Sequence, residues 1–110
     1  MIVVAVDFDD TIMYKENYQW KLFPNIRQSL INLCKQEFVF ILNTCRDDMA
    51  LVEAVNFIRD NKLPINIPLD RRKVQADIYI DDKNLDCNGI DWKEIEQKLL
   101  RYKEDTLCMK

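Results

Sequence analysis

The stretch Ile2-Val3-Val4-Ala5-Val6-Asp7-Phe8-Asp9-Asp10-Thr11 decides how the rest of the chain is read. Its first five residues are apolar and mostly β-branched, without polar alternation. That pattern fits a strand buried on both faces, as in a parallel sheet. The run then stops on acids. In α/β proteins ligands bind beyond the carboxyl ends of such strands. An apolar strand that breaks off into Asp7, Asp9 and Asp10 therefore puts carboxylates where a site is expected.

The same pattern recurs further along. Phe38 to Leu42 is a second apolar run and ends in Asn43-Thr44-Cys45-Arg46. Ile78 to Ile80 ends a further strand and runs into Asp81-Asp82-Lys83. Ile65 to Ile67 is a weak strand fenced by Pro64 and Pro68. Helices fall between these runs. Pro24 suits a first helical position, followed by the stripe Ile26, Leu30, Leu33 and Cys34. Asp47 and Asp48 can cap a helix whose stripe is Leu51, Ala54, Val55 and Ile58. That helix closes at Asn61 to Leu63, before Pro64. Asp91 is a candidate N-cap for the last helix, with Glu94 in capping-box position and Ile90 and Ile95 placed as a hydrophobic staple. Trp92, Ile95, Leu99 and Leu100 form its buried side, and the tail from Lys103 is expected to fray. Residues 12–23, with Tyr14, Tyr18 and Trp20, read as an irregular excursion. This order predicts an α/β fold with a mainly parallel sheet and helices on both faces, in three α/β/α layers of Rossmann-like type.

Bulk numbers limit the chemistry. At 110 residues the chain suits one domain, residues 1–110, with a radius of roughly 13 Å if compact. Histidine is absent, which excludes the Ser-His-Asp triad and every His-ligated zinc site. The single glycine, Gly89, excludes a G-x-G-x-x-G turn and a Walker-A loop. The acids comprise 13 Asp against 6 Glu, an excess of the carboxylate that favours caps, turns and sites over helix interiors. A net charge of −3 gives no strong nucleic-acid signal. Cys34, Cys45, Cys87 and Cys108 lack C-x-x-C spacing, and Met1-Ile2-Val3-Val4 carries no basic leader pattern. Reduced thiols in a cytoplasmic protein are expected. No apolar run approaches the roughly 18 residues of a membrane span.

If the three polar strand ends are neighbours, Asp7, Asp9, Asp81 and Asp82 crowd together. Such a crowd needs a cation or protons, and Mg²⁺ is the usual hard cation where phosphate also binds. Asp7 and Asp9 stand two apart and so share a side of an extended end. One can attack and the other shuttle a proton, since carboxylates are nucleophiles toward phosphorus. Capping of a turn by Asp9 and Asp10 is the plain alternative, but it leaves the acids at a second strand end unexplained.

These residues resemble the haloacid dehalogenase superfamily of aspartate-nucleophile phosphotransferases. Four motifs carry the resemblance, in order and over nearly the whole chain: Val3-Val4-Ala5-Val6-Asp7-Phe8-Asp9-Asp10-Thr11, then Phe40-Ile41-Leu42-Asn43-Thr44, then Lys73, then Ile78-Tyr79-Ile80-Asp81-Asp82. The resemblance implies that Asp7 is the nucleophile and Asp9 the general acid/base, its pKa raised by neighbouring carboxylates. Thr44 would hydrogen-bond the phosphoryl group, and Lys73 would neutralise charge. Mg²⁺ would be held by Asp81 and Asp82 with Asp7 and the carbonyl of Asp9. Thr11, Asn43 and Arg46 are candidate substrate-binding residues.

Several of these residues have plainer readings. Lys73 lies in the basic run Arg71-Arg72-Lys73, which suits a solvated face. Thr44 can cap the following helix. Arg46 can reach an anionic substrate or pair with Asp47 or Asp48. Tyr14, Tyr18 and Trp20 can form a flap over the site, with core or hinge packing the favoured reading. Cys45 is expected as a small buried filler.

Asp10 departs from the glycine many relatives carry there. Neither residues 12–23 nor residues 45–72 leave room for a cap domain, so the chain resembles the small capless members. An open site of this kind suits a large phosphorylated substrate or a lid borrowed from a partner. The rival expectations are a phosphate- or metal-binding module without catalysis, and a receiver-like phosphoacceptor. The receiver is disfavoured because Thr44 and Lys73 precede Asp81.

Overall fold

A computed structural model describes residues 1–68, 74–81 and 90–108, of which residues 107 and 108 are described by their backbone alone. The element order is β1 (Ile2–Val6), β2 (Met13–Glu16), β3 (Gln19–Leu22), α1 (Ile26–Cys34), β4 (Phe38–Leu42), α2 (Asp48–Asp60), β5 (Ile65–Asn66), β6 (Ile78–Ile80) and α3 (Trp92–Cys108). Four strands form one parallel sheet in the order β5-β4-β1-β6. The α/β, Rossmann-like architecture expected from the apolar runs is the one observed.

The sheet register follows from side-chain alternation. Val4 lies opposite Phe40, and Val6 lies between Leu42 and Ile80. These residues point to one face and join the helices in a single core. Ile26, Leu30 and Leu33 come from α1, Ala54 and Ile58 from α2, and Trp92, Ile95 and Leu99 from α3. A one-residue slip of β1 would turn Val4 and Val6 away from this core, which is why the register is fixed. The reverse face is covered differently. There Tyr79 Oη donates to the Val74 carbonyl at 2.7 Å, and Ala5 is buried.

Residues 12–23 are a β-hairpin rather than an irregular excursion. β2 and β3 pair antiparallel, Met13 with Leu22 through Glu16 with Gln19. The tip residues Asn17 and Tyr18 have φ of 53° and 66°. Two consecutive left-handed residues suit the type I′ turn that matches hairpin twist. The usual signal for that turn is Asn-Gly. Tyr18 in the glycine position hides it, at a steric cost of about 1 kcal/mol.

Three smaller expectations are corrected. Pro24 stays outside α1 because Asn25 takes a left-handed conformation (φ 68°) as the N-cap. The C-terminal segment does not fray at Lys103. α3 runs on to Cys108, and Lys103 Nζ donates to the Gln36 carbonyl at 2.6 Å, tying the helix to the turn after α1. Glu94 pairs with Lys98 at 3.1 Å, one turn on, while the Asp91 carboxylate accepts from the Lys93 amide at 3.0 Å as expected of a cap. Asp47 is the N-cap of α2, as the sequence suggested. The radius of gyration is 13.9 Å. Among the described residues no helix is long and apolar enough to cross a membrane.

Candidate active site

The strand order locates the site before any side chain is considered. The chain moves from β1 outward to β4 and β5, then returns to place β6 on the opposite side of β1. The order therefore reverses between β1 and β6, and ligands of such sheets bind at the carboxyl ends beside that reversal. Asp7 and Asp81 occupy those two ends.

The ladder continues past the strands. The Asp7 amide donates to the Ile80 carbonyl at 2.9 Å, and the Asn43 amide donates to the Val6 carbonyl at 2.9 Å. Since Val6 is level with both Leu42 and Ile80, the next residues form one row: Asn43, Asp7, Asp81. Neighbouring parallel strands lie about 4.8 Å apart, so the two carboxylates leave adjacent backbones on the same side. The Asp7 Oδ1 also accepts from the Phe8 amide at 2.8 Å.

Past Asp7 the chain turns sharply about the Phe8 carbonyl, which accepts from the amides of Thr11, Ile12 and Met13 at 3.3, 2.9 and 3.2 Å. Asp10 takes the left-handed conformation (φ 60°) that completes the turn. Glycine is the default there, and Asp is among the few other residues that tolerate it. Thr11 is fully buried, and its carbonyl accepts from Trp92 Nε1 at 2.9 Å, pinning the loop to α3. Its Oγ1 has no hydrogen-bond partner among the described residues.

Asp9 is held by Arg46. Nε donates to Oδ2 at 2.9 Å and Nη2 donates to Oδ1 at 2.7 Å, a bidentate pair. Arg46 is itself confined. Its Nη1 donates to the Ala50 carbonyl at 3.2 Å, and its guanidinium carbon lies 5.2 Å from the Phe8 ring centroid and 4.9 Å from that of Trp20. The Arg46 side chain is only 15% exposed. These rings belong to a larger cluster, with Phe57 edge-on to both Phe8 (5.9 Å) and Trp20 (5.6 Å). The hydrogen bonds from Arg46 hold the Asp9 carboxyl below its ordinary range, against the opposing pull of partial burial. The same contact raises Arg46 further. This reverses the expectation that neighbouring carboxylates raise the Asp9 pKa. The nearest charge to Asp9 is a cation, and hydrogen bonds to the ionised form favour it.

Thr44 Oγ1 accepts from the Arg46 amide at 3.1 Å, so this hydroxyl shapes the loop before α2. Cys45 is exposed, contrary to its expected role as a filler, because it lies in that loop and not on a packed strand. Tyr14 packs on Phe23 at 5.0 Å, Trp20 joins the core, and Tyr18 stands free at the hairpin tip. Lys73 and Asp82 lie outside the described residues, as do Arg71 and Arg72. Among the described residues no three acidic or thiol side chains gather at one point. Asp7 and Asp81 do supply the hard oxygen donors suited to Mg²⁺, an ion that keeps several waters and binds through one or two carboxylates.

The aromatic seat of Arg46 was missed in the sequence. Phe8 sits inside the acidic motif and reads as its spacer. Trp20 lies on a hairpin that was not recognised, so nothing linked either ring to Arg46.

A solved structure of a conserved protein coded by a locus from Bacteroides thetaiotaomicron superposes with a TM-score of 0.74 at 27% identity. The match covers 92% of this chain and 91% of that one, so the architecture is shared over nearly the full length of both. No family model and no curated protein matches the sequence.

Proposed function

We propose that this chain is a Mg²⁺-dependent phosphatase of the haloacid dehalogenase type, without a cap, that works through an aspartyl-phosphate on Asp7. One observation carries the proposal: Asp7 and Asp81 stand level on adjacent parallel strands where the strand order reverses, with Asn43 in the same row.

The chemistry follows from the residues. An Asp7 carboxylate oxygen attacks phosphorus of a phosphate monoester, and the bond to the ester oxygen breaks. Asp9, in its protonated form, gives that leaving oxygen its proton. Asp9, now a carboxylate, then takes a proton from water as the water oxygen attacks phosphorus, releasing Asp7 and inorganic phosphate. Asp7, Asp81 and Asp82, with the Asp9 carbonyl, would hold Mg²⁺, which supplies charge neutralisation of the transferring group when bound. Lys73, Thr44 and Asn43 would contact phosphoryl oxygens, and Thr11 would brace the loop from beneath. Among the described residues no cap crosses the carboxyl end of the sheet, which favours a substrate whose phosphate projects from a large body. A cytoplasmic setting fits the free thiols of Cys34 and Cys45.

The Arg46 contact favours a second reading. An Asp9 kept ionised is a poor proton donor, and a non-catalytic module that binds metal or phosphate would tolerate that. Hydrolysis of p-nitrophenyl phosphate with Mg²⁺ separates the two. Turnover that needs Mg²⁺ and disappears in Asp7→Asn is expected. Binding of Mg²⁺ and phosphate without turnover would favour the module, and full activity in Asp7→Asn overturns the mechanism.

A further inference from the structure

We propose that Arg46 is a positioning residue that couples the β2–β3 hairpin to Asp9, so that the hairpin takes the controlling part a cap would otherwise play. The proposal rests on the phosphatase reading for the role of Asp9, but the coupling itself does not.

From its own loop Arg46 joins three segments: the turn after β1, the start of α2 and β3. It grips Asp9 after β1 with two hydrogen bonds and holds the Ala50 carbonyl in the first turns of α2 with a third. It lies against Phe8 of the post-β1 turn and against Trp20 of β3. A solvated ion pair is built otherwise: its long side chains keep their freedom, and water screens them. Here the guanidinium is planar against two rings with all three of its nitrogens donating, an arrangement that lysine cannot reproduce.

Trp20 reaches Asp9 through this guanidinium. On its hairpin, Trp20 pairs across from Lys15, two residues from the tip at Tyr18. It also lines an open groove with Glu53, Asn56, Phe57 and Asp60, so a ligand resting there touches the ring that supports Arg46. A shift of the hairpin moves one wall of the Arg46 seat and with it the Asp9 carboxylate. The bidentate geometry adds a constraint. Both Asp9 oxygens are bonded to Arg46, so the Asp9 carboxyl can rotate toward a substrate only if Arg46 moves with it or one of those bonds opens. Whatever moves the hairpin therefore acts on that step.

Two measurements decide the matter, one of them independent of turnover. The full chain labelled with 5-fluorotryptophan gives resonances for Trp20 and Trp92, and Trp20→Phe assigns the first. Asp9→Asn is expected to move the Trp20 resonance, and to leave it in place once Arg46→Met is present. A Trp20 resonance unmoved by Asp9→Asn, or moved equally in both backgrounds, overturns the coupling. Arg46→Lys serves in place of Arg46→Met if the latter fails to fold. It keeps the charge but lacks the fork, and should give the same loss of response.

The second measurement is turnover of p-nitrophenyl phosphate, whose leaving group needs little help from an acid. Trp20→Leu should change the rate at least about fivefold in the parent, and by less than twofold in an Asp9→Asn background. Equal factors in the two backgrounds mark Trp20 as merely structural and overturn the proposal. A parent protein without any turnover defeats the phosphatase reading, while the fluorine resonances still decide the coupling.

Discussion

Asp7 and Asp9 stand two residues apart and are held by different physics. Asp7 is placed by backbone: its amide continues the ladder to Ile80, and the register of three strands sets it beside Asn43 and Asp81. Asp9 is placed by side chains: a bidentate arginine from the loop after β4, itself lying against Phe8 and Trp20. Backbone placement is repetitive and tolerates exchange of one apolar side chain for another, provided the alternation that sets the register is kept. Side-chain placement depends on several distant residues at once and can be shifted through any of them. In the proposed reaction Asp7 needs a fixed position in line with phosphorus, while Asp9 must serve as acid and then as base. The rigid device holds the nucleophile and the adjustable one holds the proton carrier.

The comparison breaks most sharply at Asp7. Asp7→Asn preserves the amide that completes the ladder and removes the nucleophile. Turnover in the presence of Mg²⁺ should fall by at least about 10³-fold, while the melting temperature moves by no more than about 4 °C. A large melting shift would mean that the carboxylate itself supports the strand end. Steady-state kinetics and thermal melts on one preparation check both halves.

Phe8 tests the other device. The ring is fully buried, sits between the two aspartates in sequence, and carries the contacts to Trp20, Phe57 and Arg46. Phe8→Ala should cost about 3–5 kcal/mol, a large share of the stability of a small domain. Phe8→Leu refills most of the space and should cost less than half of that, while still removing the ring beneath Arg46. Urea unfolding of both variants gives the two values. Similar costs would show that the ring itself, as a seat for Arg46, outweighs its volume, and a negligible cost for Phe8→Leu would show that volume alone matters.

Asp9 also makes a pH signature. Its folded pKa lies below the unfolded value because Arg46 bonds the ionised form. A lowered carboxylate pKa stabilises the fold fully above the unfolded value and loses that contribution as pH falls through the folded value. The window therefore starts near pH 4 and extends below it. Since the Asp9 side chain is 47% exposed, solvent screening leaves roughly 0.5–1 kcal/mol. Arg46→Met should flatten this part of the stability profile between about pH 5 and pH 2. An unchanged slope in urea melts at several pH values would mean that the pair is too well solvated to matter.

The same division explains what the sequence disclosed. Ile2 to Val6, Phe38 to Leu42 and Ile78 to Ile80 announce buried parallel strands, because short continuous apolar runs rich in β-branched and aromatic residues suit strands covered on both faces. Once they pair, the row Asn43, Asp7, Asp81 follows. The Asp9–Arg46 pair bridges 37 positions and depends on two rings whose spacing carries no period. The hairpin was hidden for a third reason. Its turn geometry is ordinary, but its residues are not the ones that usually mark it.

That hairpin gives the smallest and most specific test. Tyr18 has φ 66° and a fully exposed side chain, so replacing it removes no packing. Tyr18→Gly restores the Asn-Gly pair favoured in a type I′ turn. Relief of the left-handed strain is worth about 1–2 kcal/mol. The added backbone freedom of the unfolded chain takes back about 0.5–1 kcal/mol. A net gain of roughly 0.5–1 kcal/mol is expected, read as a rise of about 2–6 °C in melting temperature. Because Asn17 and Tyr18 lie at the far end of the hairpin from Met13 and Leu22, a stiffer tip leaves the strand-end row untouched. A change in the response of Trp20 to Asp9→Asn, with the behaviour of Asp7→Asn unaltered, would then trace the adjustable device from the tip of the hairpin to the acid. If Tyr18→Gly gives no thermal gain, the tip does not hold the type I′ geometry in solution, and the hairpin is a looser lever than its two strands imply.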